Sequence, residues 1–184
     1  MSRVKQVYPY DELASVWLSQ SQDTGRSPGE RMYFSGDTIY SYGSHFPIAR
    51  LFDSPNGEPV ILFTTRSYSN TTSKHVRVVQ QAVRSSSRRV VYCMYPQAAD
   101  NAAQHEVNLA DFKQHMDAAA VKHAKARKPE LYAGDIKNEA RLAREYCEVM
   151  CLPVPTWAML PNGIEAGKPM IAALRAHAEE VSHV

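Results

Sequence analysis

VILFTTRSYSNTTSKHVRVVQQAVR, residues 60–84, changes its hydrophobic period halfway along. Its first six residues, VILFTT, are a β-branched and apolar run without polar alternation, the pattern of a central strand. From Thr71 the apolar residues Val76, Val79, Ala82 and Val83 recur at steps of three and four, the period of an amphipathic helix. The stretch predicts a strand, a polar turn and a helix in direct succession. VVYCMYP, residues 90–96, is a second β-branched and aromatic run, stopped by Pro96, and reads as a further strand of the same sheet.

Upstream, RMYFSGDTIYSYG (31–43) alternates aromatic and β-branched residues with polar ones on both sides of Ser35-Gly36-Asp37, which predicts a hairpin. Pro47 introduces the strand IARLF, and DSPNGEP (53–59) is a turn leading into VILFTT. Before the hairpin, DELASVWLSQSQ (11–22) predicts a short helix with Asp11 as N-cap and Leu13, Val16 and Trp17 on one side; QDTGRSPGE (22–30) breaks it. After residue 100 the pattern is helical. Residues 108–128 carry Leu109, Phe112, Met116 and Ala119 on one stripe, and residues 130–152 carry Tyr132, Ile136, Ala140, Ala143, Tyr146 and Met150 on another. Pro129 between them predicts an antiparallel helical hairpin. A last short helix is expected from Lys168, with Pro169 in its first turn.

These elements predict an α+β fold in one domain spanning 1–184. Its core, 30–96, is a small, largely antiparallel sheet crossed by one helix; a helical hairpin (107–152) and a short C-terminal helix follow. With 184 residues, 44% hydrophobic and 22% charged, the chain has an ordinary globular composition and room for one core. No window approaches the roughly 18 apolar residues of a membrane span, and the N-terminal MSRVKQVYPYDELASVW lacks a signal-like apolar stretch, so the expectation is a cytoplasmic protein with no membrane partner. Cys93, Cys147 and Cys151 fit reduced thiols, and no second Cys or His pair completes a zinc site, so neither metal nor cofactor is expected.

Charge is unevenly distributed. Residues 59–99 hold Arg66, Lys74, Arg77, Arg84, Arg88 and Arg89 and no Asp or Glu, against a net charge of only +2 for the whole chain. Such polarity favours polyanions or acidic protein surfaces, although solvated cations on an outer face give the same pattern. A second cluster, Lys122, Lys125, Arg127 and Lys128, ends a helical pattern, where cations complement exposed carbonyls.

The turn itself gathers Arg66, Tyr68, Ser69, Thr71, Thr72, Lys74 and His75. Hydroxyls and cations beside the amides of a helix start can hold a phosphate or carboxylate. They can equally serve as caps, with the cations solvated. His75 stands four residues before Val79, on the flank of the buried stripe, and suits either packing or ligand binding. In GDTIYSYGSHFPIA (36–49), alternation puts Tyr40 and Tyr42 on one face and Ser41 on the other, and Tyr42, His45 and Tyr68 are candidates to converge near the helix start. No acidic partner at a recognisable spacing, G-x-S-x-G elbow, Walker loop, dinucleotide-binding glycine pattern or HExxH accompanies them.

The YSYG-HFPIA strand (Tyr40, Ser41, Tyr42, Gly43, His45) and the YS-TT-KH turn (Tyr68, Ser69, Thr71, Thr72, Lys74, His75) together resemble an uncharacterised domain family of bacteriophage, plasmid and mobile-element proteins. The resemblance spans about residues 30–84, and KARKPELYAGDIKNEARLAREYCEVM (125–150) is similar to the helical segment that often follows in such proteins. It implies a small phage or plasmid accessory protein and brings no established activity. The expected function is non-enzymatic: binding of nucleic acid or an acidic protein surface through Arg66, Lys74, Arg77 and Arg84. Two alternatives stand beside it, an anti-defence inhibitor that binds a host protein and an enzyme acting on a nucleotide or phosphorylated substrate with His75 or His45 as acid or base. A homo-oligomer through the helical hairpin is compatible with its stripes.

Overall fold

Six strands line up in the order in which they occur along the chain: β1 (Thr24–Arg26), β2 (Met32–Ser35), β3 (Thr38–Ser41), β4 (Pro47–Asp53), β5 (Pro59–Thr64) and β6 (Arg89–Cys93). Neighbours from β1 to β5 are antiparallel; β5 and β6 are parallel. The parallel pair follows from the connection between them, since α2 (Asn70–Val83) carries the chain back across the sheet before β6 begins. The protein is thus α+β, as its hydrophobic periods predict. The structure, a computed structural model, describes residues 5–66, 69–97, 102–128 and 130–159. The expected helix from Lys168 lies outside the described residues. By internal contacts the chain divides into two units, Met1–Gln104 and His105–Val184.

In the first unit, α1 (Tyr10–Ser19) and α2 share one core with the sheet. Leu13, Ala14 and Trp17 from α1 and Val79 and Val83 from α2 pack with Phe34, Ile39, Ile48, Leu51, Ile61 and Phe63. Strand β5 lies between β4 and β6, and Val60, Ile61 and Leu62 in succession are fully buried, which is why VILFTT lacks polar alternation. The β2–β3 hairpin turns through Gly36 and Asp37, with Ser35 facing Thr38. Asp37 anchors this corner: its carboxylate accepts from Arg50 Nε (2.8 Å) and its carbonyl accepts from Trp17 Nε1 (2.9 Å).

Two boundaries differ from expectation. Helix α1 begins at Tyr10 behind Pro9 rather than behind an Asp11 cap, and Asp11 and Glu12 instead occupy its first turn, where they complement the helix dipole. Strand β1 occupies part of the QDTGRSPGE stretch. Its centre is Gly25, where an added Cβ would come within 2.5 Å of Phe34 Cε1, so glycine is what lets this edge strand close on the hairpin.

In the second unit, α3 (Ala102–Lys125) and α4 (Glu130–Val149) run antiparallel. Met116, Ala119 and Ala120 pack on Ile136 and Ala140, with Trp157 against them. At the other end the Tyr146 hydroxyl accepts from Asn108 Nδ2 (2.9 Å) and pairs with His105 Nδ1 (2.7 Å). The inner stripe of α3 therefore runs through Asn108, not Leu109, and the helix starts two turns earlier than its hydrophobic pattern suggests. Lys122 and Lys125 fall in its last turn, as a carbonyl-complementing role requires.

Candidate functional site

Helix α2 buries one side and charges the other. Thr72, His75, Val79 and Val83 recur at helical spacing and are buried. Lys74, Arg77 and Arg84, three and seven residues apart, fall on the opposite side together with Asn70 and Gln81, and all five are exposed. From Lys74 to Arg84 the row extends about 15 Å at the α-helical rise. Among the described residues no carboxylate lies within ion-pair distance of these three cations. Arg89, by contrast, sits 3.8 Å from Glu58.

The helix start is built largely from its own side chains. Ser69 is the N-cap; its Oγ accepts from the Thr72 amide (3.2 Å) and lies 3.1 Å from Thr72 Oγ1. Thr72 is buried and Thr71 is half-buried beside it. Two of the predicted anion-holding hydroxyls thus bond to each other, and the Ser69 cap on the Thr72 amide stabilises the helix by about 1 kcal/mol. Arg66 is set apart from the cation row: its guanidinium lies 4.8 Å from the Tyr95 ring centre and 5.5 Å from that of Phe46, a cation–π arrangement. Tyr68 lies outside the described residues.

His75 is 1% exposed. Its Nδ1 shares a 2.8 Å hydrogen bond with Oγ of Ser41, which is equally buried, and its ring lies 4.7 Å from Tyr10 and 5.5 Å from Tyr42. Nε2 has no hydrogen-bond partner among the described residues. Burial, reinforced by the nearby Arg31 charge, holds the imidazole below its ordinary value of 6.5, so it is neutral at pH 7.

The expected alternation of Tyr40 and Tyr42 fails for a local reason. Strand β3 ends at Ser41, whose amide donates to the Phe46 carbonyl (3.0 Å), and the chain returns through a tight loop. Within that loop Tyr42 takes a left-handed backbone (φ 57°) and Gly43 follows at φ 132°. Tyr42 therefore joins Ser41 at His75, while Tyr40 stacks on Tyr33 at 5.0 Å. His45 is exposed and folds over Gly43, where an added Cβ would meet its Nδ1 at 3.0 Å.

Arg31 and Tyr33 escape any reading of spacing, yet they line an open groove of about 640 Å³ with Tyr42, Gly43, Arg26 and Phe34. Arg26 is paired with Glu30; Arg31 is exposed and has no carboxylate partner among the described residues. The Tyr33 phenol is pushed above its ordinary value by burial and then by neighbouring Tyr40, so it stays protonated and able to donate.

The His75 environment has a measurable consequence. Below about pH 6.5 the unfolded chain takes up a proton that the buried imidazole refuses, so folding stability falls as pH drops from 6.5 towards the lower folded value. His105, also lowered by burial, acts in the same direction. Urea unfolding between about pH 7.5 and about pH 5.5 should show a smaller loss for His75→Asn than for wild type. Equal losses would mean that His75 titrates normally.

Comparison of the chain with protein-family models, with curated proteins and with solved structures finds no match, so the geometry of α2 and the neighbouring groove carries the functional reading.

Proposed function

We propose that this protein binds nucleic acid through the outer face of α2, as a non-enzymatic accessory protein of the phage or plasmid kind that the resemblance over residues 30–84 implies. One observation carries the reading: Lys74, Arg77 and Arg84 form an exposed row on a helix face, inside a 41-residue segment (59–99) that contains no Asp or Glu. Because these cations are not tied up in ion pairs among the described residues, a polyanion gains their full attraction without first breaking internal bonds. No base-reading motif accompanies the row, which favours backbone contact over sequence recognition.

Phosphate contacts of this kind release counterions, so affinity must fall as salt rises. With three contacts and a slope of about 0.9 per contact, duplex affinity should drop by roughly 40-fold between about 50 mM and about 200 mM salt. Fluorescence anisotropy with a labelled duplex measures it directly. A salt-independent affinity, or no binding at the lower salt, would remove the nucleic-acid reading and leave an acidic protein as the partner to seek.

A further inference from the structure

We propose that the groove beside Tyr42 seats an unpaired nucleobase, so that the preferred ligand of this protein is single-stranded nucleic acid. This deepens the α2 reading and rests on it for the phosphate contacts.

At about 640 Å³ the groove falls within the size range of small-ligand sites and accommodates a base with its sugar. Two tyrosines line it. Tyr42 is 46% exposed and is held out of the strand by its left-handed backbone. Tyr33 is braced from behind by Tyr40 in a near-parallel stack (16° between planes), and the Tyr40 hydroxyl accepts from Gln97 Nε2 at 3.0 Å. An aromatic surface already fixed in place loses little entropy when a base stacks on it, and any base can stack because each has a π-face. The charge in the groove is also suitable: Arg26 and Glu30 neutralise each other, leaving Arg31 free among the described residues to meet a phosphate or stack on a base.

Continuity makes a strand a better occupant than an isolated nucleotide. Tyr42 touches His75, whose neighbour Lys74 begins the exposed row on α2. Lys74 points outward while the Tyr42–His75 contact lies on the inner side of α2, so a strand bound along Lys74, Arg77 and Arg84 must pass round the start of the helix to offer its next base to the groove. In a duplex that base is stacked and paired, whereas in a single strand it is free to turn into the groove. The Ser41–His75 bond then acts as a positioning device, holding the imidazole against the Tyr42 ring.

The test compares three labelled probes of equal length by anisotropy at one salt concentration: a single strand, the same strand with abasic sites, and a duplex. The strand should bind about 5- to 150-fold more tightly than its abasic counterpart, the range for stacking of one base. Tyr42→Asn, chosen because asparagine tolerates the left-handed backbone, should abolish that ratio while abasic and duplex affinities stay unchanged. Tyr33→Leu should reduce it in the same way, and circular dichroism confirms that both variants fold. Equal affinity for the strand and its abasic form, or a ratio untouched in Tyr42→Asn, overturns the groove assignment. Because the readout is a ratio between probes sharing one backbone charge, it is separate from any failure of α2 to bind phosphates, which would appear as loss of all three complexes.

Discussion

If the α2 row is the nucleic-acid contact proposed above, the triple variant Lys74→Glu, Arg77→Glu, Arg84→Glu should bind roughly 10²- to 10³-fold more weakly than wild type near 0.1 M salt, with a log–log salt dependence shallower by about 2 to 3. Each lost contact forfeits about 0.7 to 0.9 in slope, at the lower end for single strands and the upper for duplexes, and the reversed charges add repulsion that counterions only partly screen. The fold should tolerate the change, because all three side chains are exposed on the helix face opposite Val79 and Val83 and have no ion pair to lose among the described residues. Thermal unfolding within a degree or two of wild type, together with the affinity loss, isolates electrostatics from folding. Glutamates at Lys122, Lys125 and Arg127 provide the control, since those cations belong to the end of α3 and the following residues and are assigned no ligand. If the control variant loses as much affinity as the α2 variant, the attraction is a diffuse property of net charge and not of the helix face.

The α2 row was legible in the sequence because both of its ingredients are one-dimensional: helical spacing of Lys74, Arg77 and Arg84, and the absence of acid around them. The β2–β3 hairpin and β4 to β6 were legible for a similar reason, since their hydrophobic patterns and turn residues are local. What was not legible depends on partners distant in sequence. Strand β1 has three residues, one of them Gly25, and exists because Phe34 leaves room for nothing larger there. The Ser41–His75 bond joins positions 34 residues apart, and no spacing rule links them. The alternation that pairs Tyr42 with Tyr40 holds only while a strand continues; the return bond from Ser41 to Phe46 ends it one residue too soon. The sequence pattern groups Arg66 with the open cations because Phe46 and Tyr95, the rings against which it lies, come from loops distant in sequence. The buried Asn108 in place of Leu109 reflects the polar demand of the Tyr146 hydroxyl across the helix pair, which outweighs the apolar period of α3.

Trp17→Ala should destabilise the unit Met1–Gln104 by about 3–5 kcal/mol, the cost of removing a large buried aromatic and leaving a cavity. Trp17 is fully buried among residues of α1, the hairpin and β4, and its indole N–H donates to the Asp37 carbonyl at 2.9 Å. That carbonyl also accepts from the Leu51 amide at 2.9 Å, so it stays satisfied in the variant, and the loss comes chiefly from packing. Against a total stability of about 5–15 kcal/mol for a domain, a change of this size moves the urea midpoint far enough to measure without ambiguity. Trp17→Phe retains most of the buried area and should lose much less. The effect should also reach the groove. Trp17 docks α1 on the sheet, α1 carries Tyr10, and the half-buried Tyr10 ring lies 4.7 Å from His75. Loosening α1 therefore frees the imidazole from one of its two aromatic neighbours and with it the Tyr42 ring, so discrimination between a single strand and its abasic form should weaken in Trp17→Ala even at temperatures where the variant is fully folded. A midpoint shift equivalent to less than about 1 kcal/mol would mean that α1 is not held on the sheet by Trp17, because surface substitutions change stability by about that much or less.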